Sequence, residues 1–140
     1  MFQHTFLFSP GTWRGEGKIT LSMVEEELLF ETSWVVQPKD FAGKISGSQK
    51  VEIHGLSDQV HNELTFSEFD GKHFSVEMEN SNVGRVLGTG IFDEKVIGWE
   101  FRNNDLKFEG YETYTLQGDG SYQMRGEYVT NDQFRTHIEA

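Results

Sequence analysis

A period of two recurs along almost the whole chain and limits the fold more than any other feature. From Trp13 the odd positions run Trp13, Gly15, Gly17, Ile19, Leu21 and Met23, against Thr12, Arg14, Glu16, Lys18, Thr20 and Ser22. Successive side chains of a strand point to opposite faces, so one face is apolar and the other solvated. After the solvated triplet Glu25-Glu26-Glu27, the residues Leu28, Phe30, Thr32, Trp34 and Val36 repeat the pattern. Pro38 ends that run, because proline has no amide proton to give a central ladder. No stretch beyond the first ten residues keeps a helical period.

Turn signals cut the alternation at short intervals. Asp70-Gly71 separates NELTFSEF from KHFSVEME, and a two-residue Asp-Gly link is a hairpin signal. Asn80-Ser-Asn82, Asp93-Glu94, Asn103-Asn104 and Gly118-Asp-Gly120 break the later runs. Residues 37–60 are less regular: DFAGKISGSQ reads as a loop, and QKVEIHG as a short strand that alternates Val51 and Ile53 with Lys50, Glu52 and His54. Ten strands result, at about 12–23, 27–36, 49–54, 62–69, 72–79, 83–92, 95–102, 105–116, 121–129 and 132–139. The joins are too short for parallel crossovers, so the strands meander antiparallel. A long meander exposes two edges unless it closes. The expectation is one all-β domain over residues 1–140, an antiparallel up-and-down β-barrel.

Composition narrows the partners. There are 23 Asp and Glu against 12 Lys and Arg, a formal charge of -11. Such a chain repels nucleic-acid phosphates and anionic lipid, so no nucleic acid and no membrane is expected. Without cysteine, thiolate catalysis and cysteine-ligated metals are excluded. The apolar start MFQHTFLFSP carries no Lys or Arg and no cleavage pattern, which argues for a cytoplasmic protein.

The stretch Gly11-Thr-Trp-Arg-Gly-Glu-Gly17, on the first strand of such a meander, resembles the calycin superfamily of lipocalin and fatty-acid-binding barrels. In detail it looks most like nitrobindin-type and bacterial lipocalin-like domains, with a second similarity in RTHIEA at 135–140. The resemblance implies that Gly11 and Trp13 close one end of the barrel, with Arg135 packed across the indole. It also implies haem as a cofactor, its iron held by His137. The alternation sets His137 on the polar face with Arg135 and Glu139, which fits a solvated rim histidine instead. His4, His54, His61 and His73 carry no signal that sets them apart from ordinary surface histidines.

The inward face predicts a small-ligand pocket. It carries Thr32, Trp34, Trp99, Glu112, Tyr114 and Tyr128, an apolar wall with a few polar groups. Gly15, Gly17, Gly110 and Gly126 fall on the same face and open space, unless the core is simply filled. An inward Glu112 needs a partner or keeps its proton; a bulge would turn it to solvent, and that is the expectation for it. Glu100 and Arg102 face outward. The first ten residues, with Phe2, Phe6 and Phe8, cover the end near Trp13. GRVLGTG at 84–90 precedes no helix, and no nucleophile–base or paired-carboxylate arrangement follows from spacing, so enzyme activity is unsupported. The leading expectation is non-covalent capture of a small hydrophobic or amphipathic ligand without a cofactor. Haem chemistry on nitrogen oxides or peroxide, and a ligand-free interaction domain, are the alternatives; a homodimer is left open.

Overall fold

In a computed structural model of the chain, alternation has become strands nearly everywhere. Described are residues 4, 6–21, 27–55, 59–80, 84–102, 109–129 and 135–139, the last five and Leu21 for their backbone alone. The strands are β1 (Gly11–Leu21), β2 (Glu27–Val36), β3 (Ile45–Ile53), β4 (Gln59–Asp70) and β5 (His73–Asn80), then β6 (Gly84–Phe92), β7 (Val96–Phe101), β8 (Glu109–Leu116), β9 (Tyr122–Val129) and β10 (Arg135–Glu139). No helix occurs among the described residues.

Each strand runs antiparallel to the one before it, and the sheet is up-and-down and strongly curled. Its concave face takes the residues at alternate positions. On β5 these are Phe74, Val76 and Met78, and on β7 Ile97, Trp99 and Phe101, all buried. Arg14 and Glu16 on β1 and Arg102 after β7 are exposed, as expected, and Arg102 pairs with Glu100 on the outer face.

Two departures from the sequence reading have clear causes. β3 starts at Ile45, four residues ahead of the expected strand, because Ser46, Gly47 and Ser48 pair in a ladder with Val35 and Val36 on one side and Glu63 to Thr65 on the other. Gly47 looked like a turn residue. It is glycine because the Trp34 ring lies over it, where a Cβ would stand 3.2 Å from the ring. The second departure is in β4, whose register with β5 shifts between Ser67 and Asp70. Glu68 there takes a left-handed φ of 54° and its carboxylate accepts a bond from the Ser75 hydroxyl at 2.9 Å. An extra residue of this kind bends a strand and tightens its twist. The hairpin then turns at Gly71, with φ of 62°, as the Asp-Gly signal requires.

Glycines on the concave face do not mark empty space in the way expected. Gly110 is covered by the Tyr128 ring across the β8–β9 ladder, and Gly90 by the Phe74 ring across β5–β6. At Gly126 a Cβ would stand 3.2 Å from Glu112 and Met124. A ring laid over a cross-strand glycine fills the volume its missing side chain leaves.

Candidate functional site

The concave face divides into a filled region and an open one. Phe66, Phe74, Trp99 and Phe101 fill the space between β4 and β7, with Phe66 to Trp99 centroids 5.2 Å apart and Phe66 to Phe74 5.9 Å. Between β1, β2, β3, β8 and β9 lies a cavity of about 230 Å³. Its wall is Phe6, Trp13, Phe30, Trp34, Tyr114, Tyr122 and Met124, with Thr32 and Gln49 as polar groups and Arg14 and Ser121 at the mouth. Gly15 also lines it, so of the glycines expected to open space this one does.

The N-terminal segment covers this end of the sheet. Phe6 is buried, 5.5 Å from the Trp13 ring, 5.5 Å from Trp34 and 4.7 Å from Tyr114. His4 is buried too, not at the surface as its sequence context suggested. Its Nε2 lies 2.6 Å from the Asp93 carbonyl, which can only accept, so Nε2 carries the proton. Nδ1 then accepts from the Tyr122 hydroxyl at 2.8 Å. The Asp93 carboxyl shapes the turn that presents this carbonyl by accepting the amides of Lys95 and Val96 at 2.9 and 2.8 Å, and those bonds hold it below its ordinary value of 3.8. Phe2 lies outside the described residues.

Trp13 meets Phe6 and, at 5.5 Å, Tyr122, both edge to face. The expected Arg135 partnership across this ring is not what the register gives. β10 pairs with β1 only at its far end, Thr136 opposite Leu21. Leu21 is eight residues from Trp13, roughly 26 Å of strand. Gly11 pairs with Val36 at the start of β1, at the Trp13 end. His137 pairs through its backbone with Thr20 and Glu127, and its side chain lies outside the described ones.

Four of the six expected ligand residues form one buried cluster beside the cavity. Glu112 is buried on the inward face at 6 % exposure, contrary to the solvent position expected, because β8 runs without a bulge and pairs regularly with both neighbours. Burial pushes its carboxyl above the ordinary value of 4.5, against hydrogen bonds from Tyr128 and Tyr114 and the approach of the Trp99 indole. The Tyr114 bond is long at 3.3 Å and therefore weak. Both tyrosine hydroxyls are held well above 10, first by burial and then by the Glu112 charge. Tyr128 is half-buried as a residue, but its hydroxyl end is inside. The buried indole N–H groups of Trp34 and Trp99 belong to the same cluster, Trp34 beside the Tyr114 hydroxyl and Trp99 beside Glu112 and Tyr128, each short of full hydrogen-bonding geometry.

Thr32, the sixth, belongs to a polar rung that sequence reasoning missed. Asn80 donates to Asn62, Asn62 Nδ2 to Gln49 Oε1 at 2.9 Å, and Gln49 Nε2 to Thr32 Oγ1 at 3.1 Å. The rung crosses β5, β4, β3 and β2 and ends at the cavity. Gln49 is buried, and its only sequence signal was a polar residue on the inward phase of Ile45, Gly47, Val51 and Ile53.

In comparisons with known proteins, no family model matches the chain and no curated protein matches it. Among the described residues, no group of three or more His, Asp and Glu side chains is gathered to hold a metal ion.

Proposed function

We propose that the curled sheet is a calycin-like barrel that binds a small, largely apolar molecule in the cavity beneath Trp13 and Phe6, without covalent chemistry. The pairing of β1 with β10 as well as β2 supports closure. The observation that carries the function is the cavity itself. About 230 Å³ of space persists inside an otherwise ring-filled core, walled by Phe6, Phe30, Trp34 and Met124. Close packing is the rule in protein interiors, so a space this size against aromatic walls suits an occupant. Its volume lies below the usual range for drug-sized ligands, which points to a molecule about as large as a substituted benzene ring.

Native mass spectrometry of the purified protein, followed by ligand-detected NMR titration with cumene, tests this. The expected result is a retained small molecule, or saturable cumene binding that Phe30→Trp blocks by filling the space. No retained molecule and no saturable binding would leave the cavity without a ligand and overturn the reading.

A further inference from the structure

We propose that β1 receives an extended peptide segment of a partner protein along its open edge, in the pattern basic–aromatic–acidic, with the aromatic side chain entering the cavity mouth at Gly15. The inference shares the cavity with the small-molecule reading but stands on the strand edge, so the two can fail separately.

The edge is open because β10 is short. β10 pairs with β1 over Lys18–Leu21 and with β9 over Arg125–Val129. From Gly11 to Glu16, β1 pairs with β2 on one side and, among the described residues, with no strand on the other. Burial changes at the same point. Ile19, within the β10 ladder, is buried, whereas Gly15 on the same inward phase is exposed and Trp13 half-buried. Since β10 lies between β1 and β9, its line continues as a slot one strand wide, with β1 and β9 about 10 Å apart. The Trp13 and Tyr122 rings meet on its inner side, 5.5 Å apart. The cavity opens into this slot, its lining taking Arg14 and Gly15 from β1 and Tyr122 and Met124 from β9.

An edge strand offers the N–H and C=O of every second residue to an incoming strand, and pockets for alternate side chains give such pairing its specificity. β10 sets the direction. A segment continuing its line runs antiparallel to β1 and places successive residues opposite Glu16, Gly15 and Arg14. Glu16 and Arg14 are outward and exposed, and among the described residues neither is in a salt bridge. Opposite charges directly across an antiparallel pair attract, so these two select a basic residue followed, two places on, by an acidic one. Gly15 selects the residue between them. Elsewhere on the concave face an inward glycine lies under the ring directly opposite it, Gly90 under Phe74 and Gly110 under Tyr128. At Gly15 a Cβ would meet only the Thr32 methyl from β2, at 3.3 Å. A ring on the incoming strand covers Gly15 from the slot side and reaches the apolar wall of the cavity.

The probe is the peptide acetyl-Thr-Lys-Phe-Glu-Gly-Thr-amide, titrated into isotope-labelled protein and followed by NMR shifts and amide hydrogen exchange. Saturable binding is expected, with exchange slowed at Gly11–Glu16. A copy with Lys and Glu interchanged should bind about fivefold more weakly, and the double variant Arg14→Glu, Glu16→Lys should reverse that preference. Both substituted side chains are exposed, so the variant's thermal melt should match the wild type's. Replacing the peptide's Phe by Ala should cost about tenfold in affinity. No saturable binding, protection confined to other strands, or a charge preference that the double variant leaves unchanged overturns the strand-addition proposal. An Ala copy that binds equally well overturns the aromatic anchor. Slow exchange of Gly11–Glu16 in the free protein that dilution abolishes would make the occupant a second copy of the chain and overturn the peptide assignment. Cumene binding without peptide binding removes this inference and leaves the small-molecule reading; peptide binding without cumene binding does the reverse.

Discussion

The β4–β7 side of the sheet and the β1–β3 side follow the same period of two, yet one is solid and the other hollow. On β4 to β7 the inward positions carry Leu64, Phe66, Phe74, Val76, Met78, Val86, Ile97, Trp99 and Phe101, all buried. Glycines there sit beneath rings: Gly90 under Phe74 and Gly88 against Phe101. On β1 to β3 the inward positions include Gly15, Thr32 and Gln49, and the space they leave is bounded by Phe6 from the N-terminal segment. Alternation decides which face is inward. Whether that face is full depends on side-chain size summed across neighbouring strands.

Removing a ring from the solid side should therefore have the largest effect. Phe66 has no exposed surface and touches Phe74 and Trp99. Phe66→Ala should cost about 3–5 kcal/mol in urea unfolding, since the packed neighbours cannot collapse into the gap. Phe30→Ala borders existing space, so its loss leaves less newly created cavity per atom and should cost visibly less. Equal losses at the two sites would end the distinction between a filled and a hollow side.

A glycine pair sharpens the same comparison from the opposite direction. A methyl at Gly90 collides with the Phe74 ring, and Gly90→Ala should cost about 1–3 kcal/mol as an overpacking change. Gly90→Ala with Phe74→Leu should recover part of that. At Gly15 a Cβ meets only the Thr32 methyl at 3.3 Å, and Gly15→Ala should cost less than about 1 kcal/mol. Chemical denaturation of the three variants measures both predictions.

These contrasts also explain what the sequence could and could not show. Strand positions and inward faces were legible because period two is a local property: Trp34, Trp99, Tyr114 and Met124 all fall inside as expected. The occupancy of the inward glycines was not, because the ring covering Gly110 comes from Tyr128, eighteen residues away. β3 was cut short at its Gly47 for the same reason, its covering ring being Trp34. His4 gave no signal because its partners, Asp93 and Tyr122, are distant in sequence. The rung from Asn80 to Thr32 is likewise assembled from four strands, none polar enough alone to stand out. Glu112 was placed on the correct face by alternation and then assigned to solvent by the cost of burying it.

That cost should be measurable, and it is the most conditional of the effects, because it shows only where the carboxyl ionises. Glu112 sits between the solid and hollow sides, hydrogen-bonded by Tyr114. Its folded-state value is raised above 4.5, mainly by burial. The folded protein therefore favours the protonated carboxyl. Its contribution is fully present below about pH 4.5 and is lost as pH rises through the folded-state value, where a charge must be held inside. Glu112→Gln keeps the shape and removes the titration. It should leave stability near the wild-type value at pH 4 and raise it above the wild type at pH 8. Tyr114→Phe removes a donor to the ionised form, so it should steepen the wild-type fall with pH and leave Glu112→Gln largely unaffected. Parallel pH–stability curves for the wild type and Glu112→Gln would mean that the carboxyl is not confined to the apolar interior, and the boundary between the two sides would have to be redrawn around a solvated Glu112.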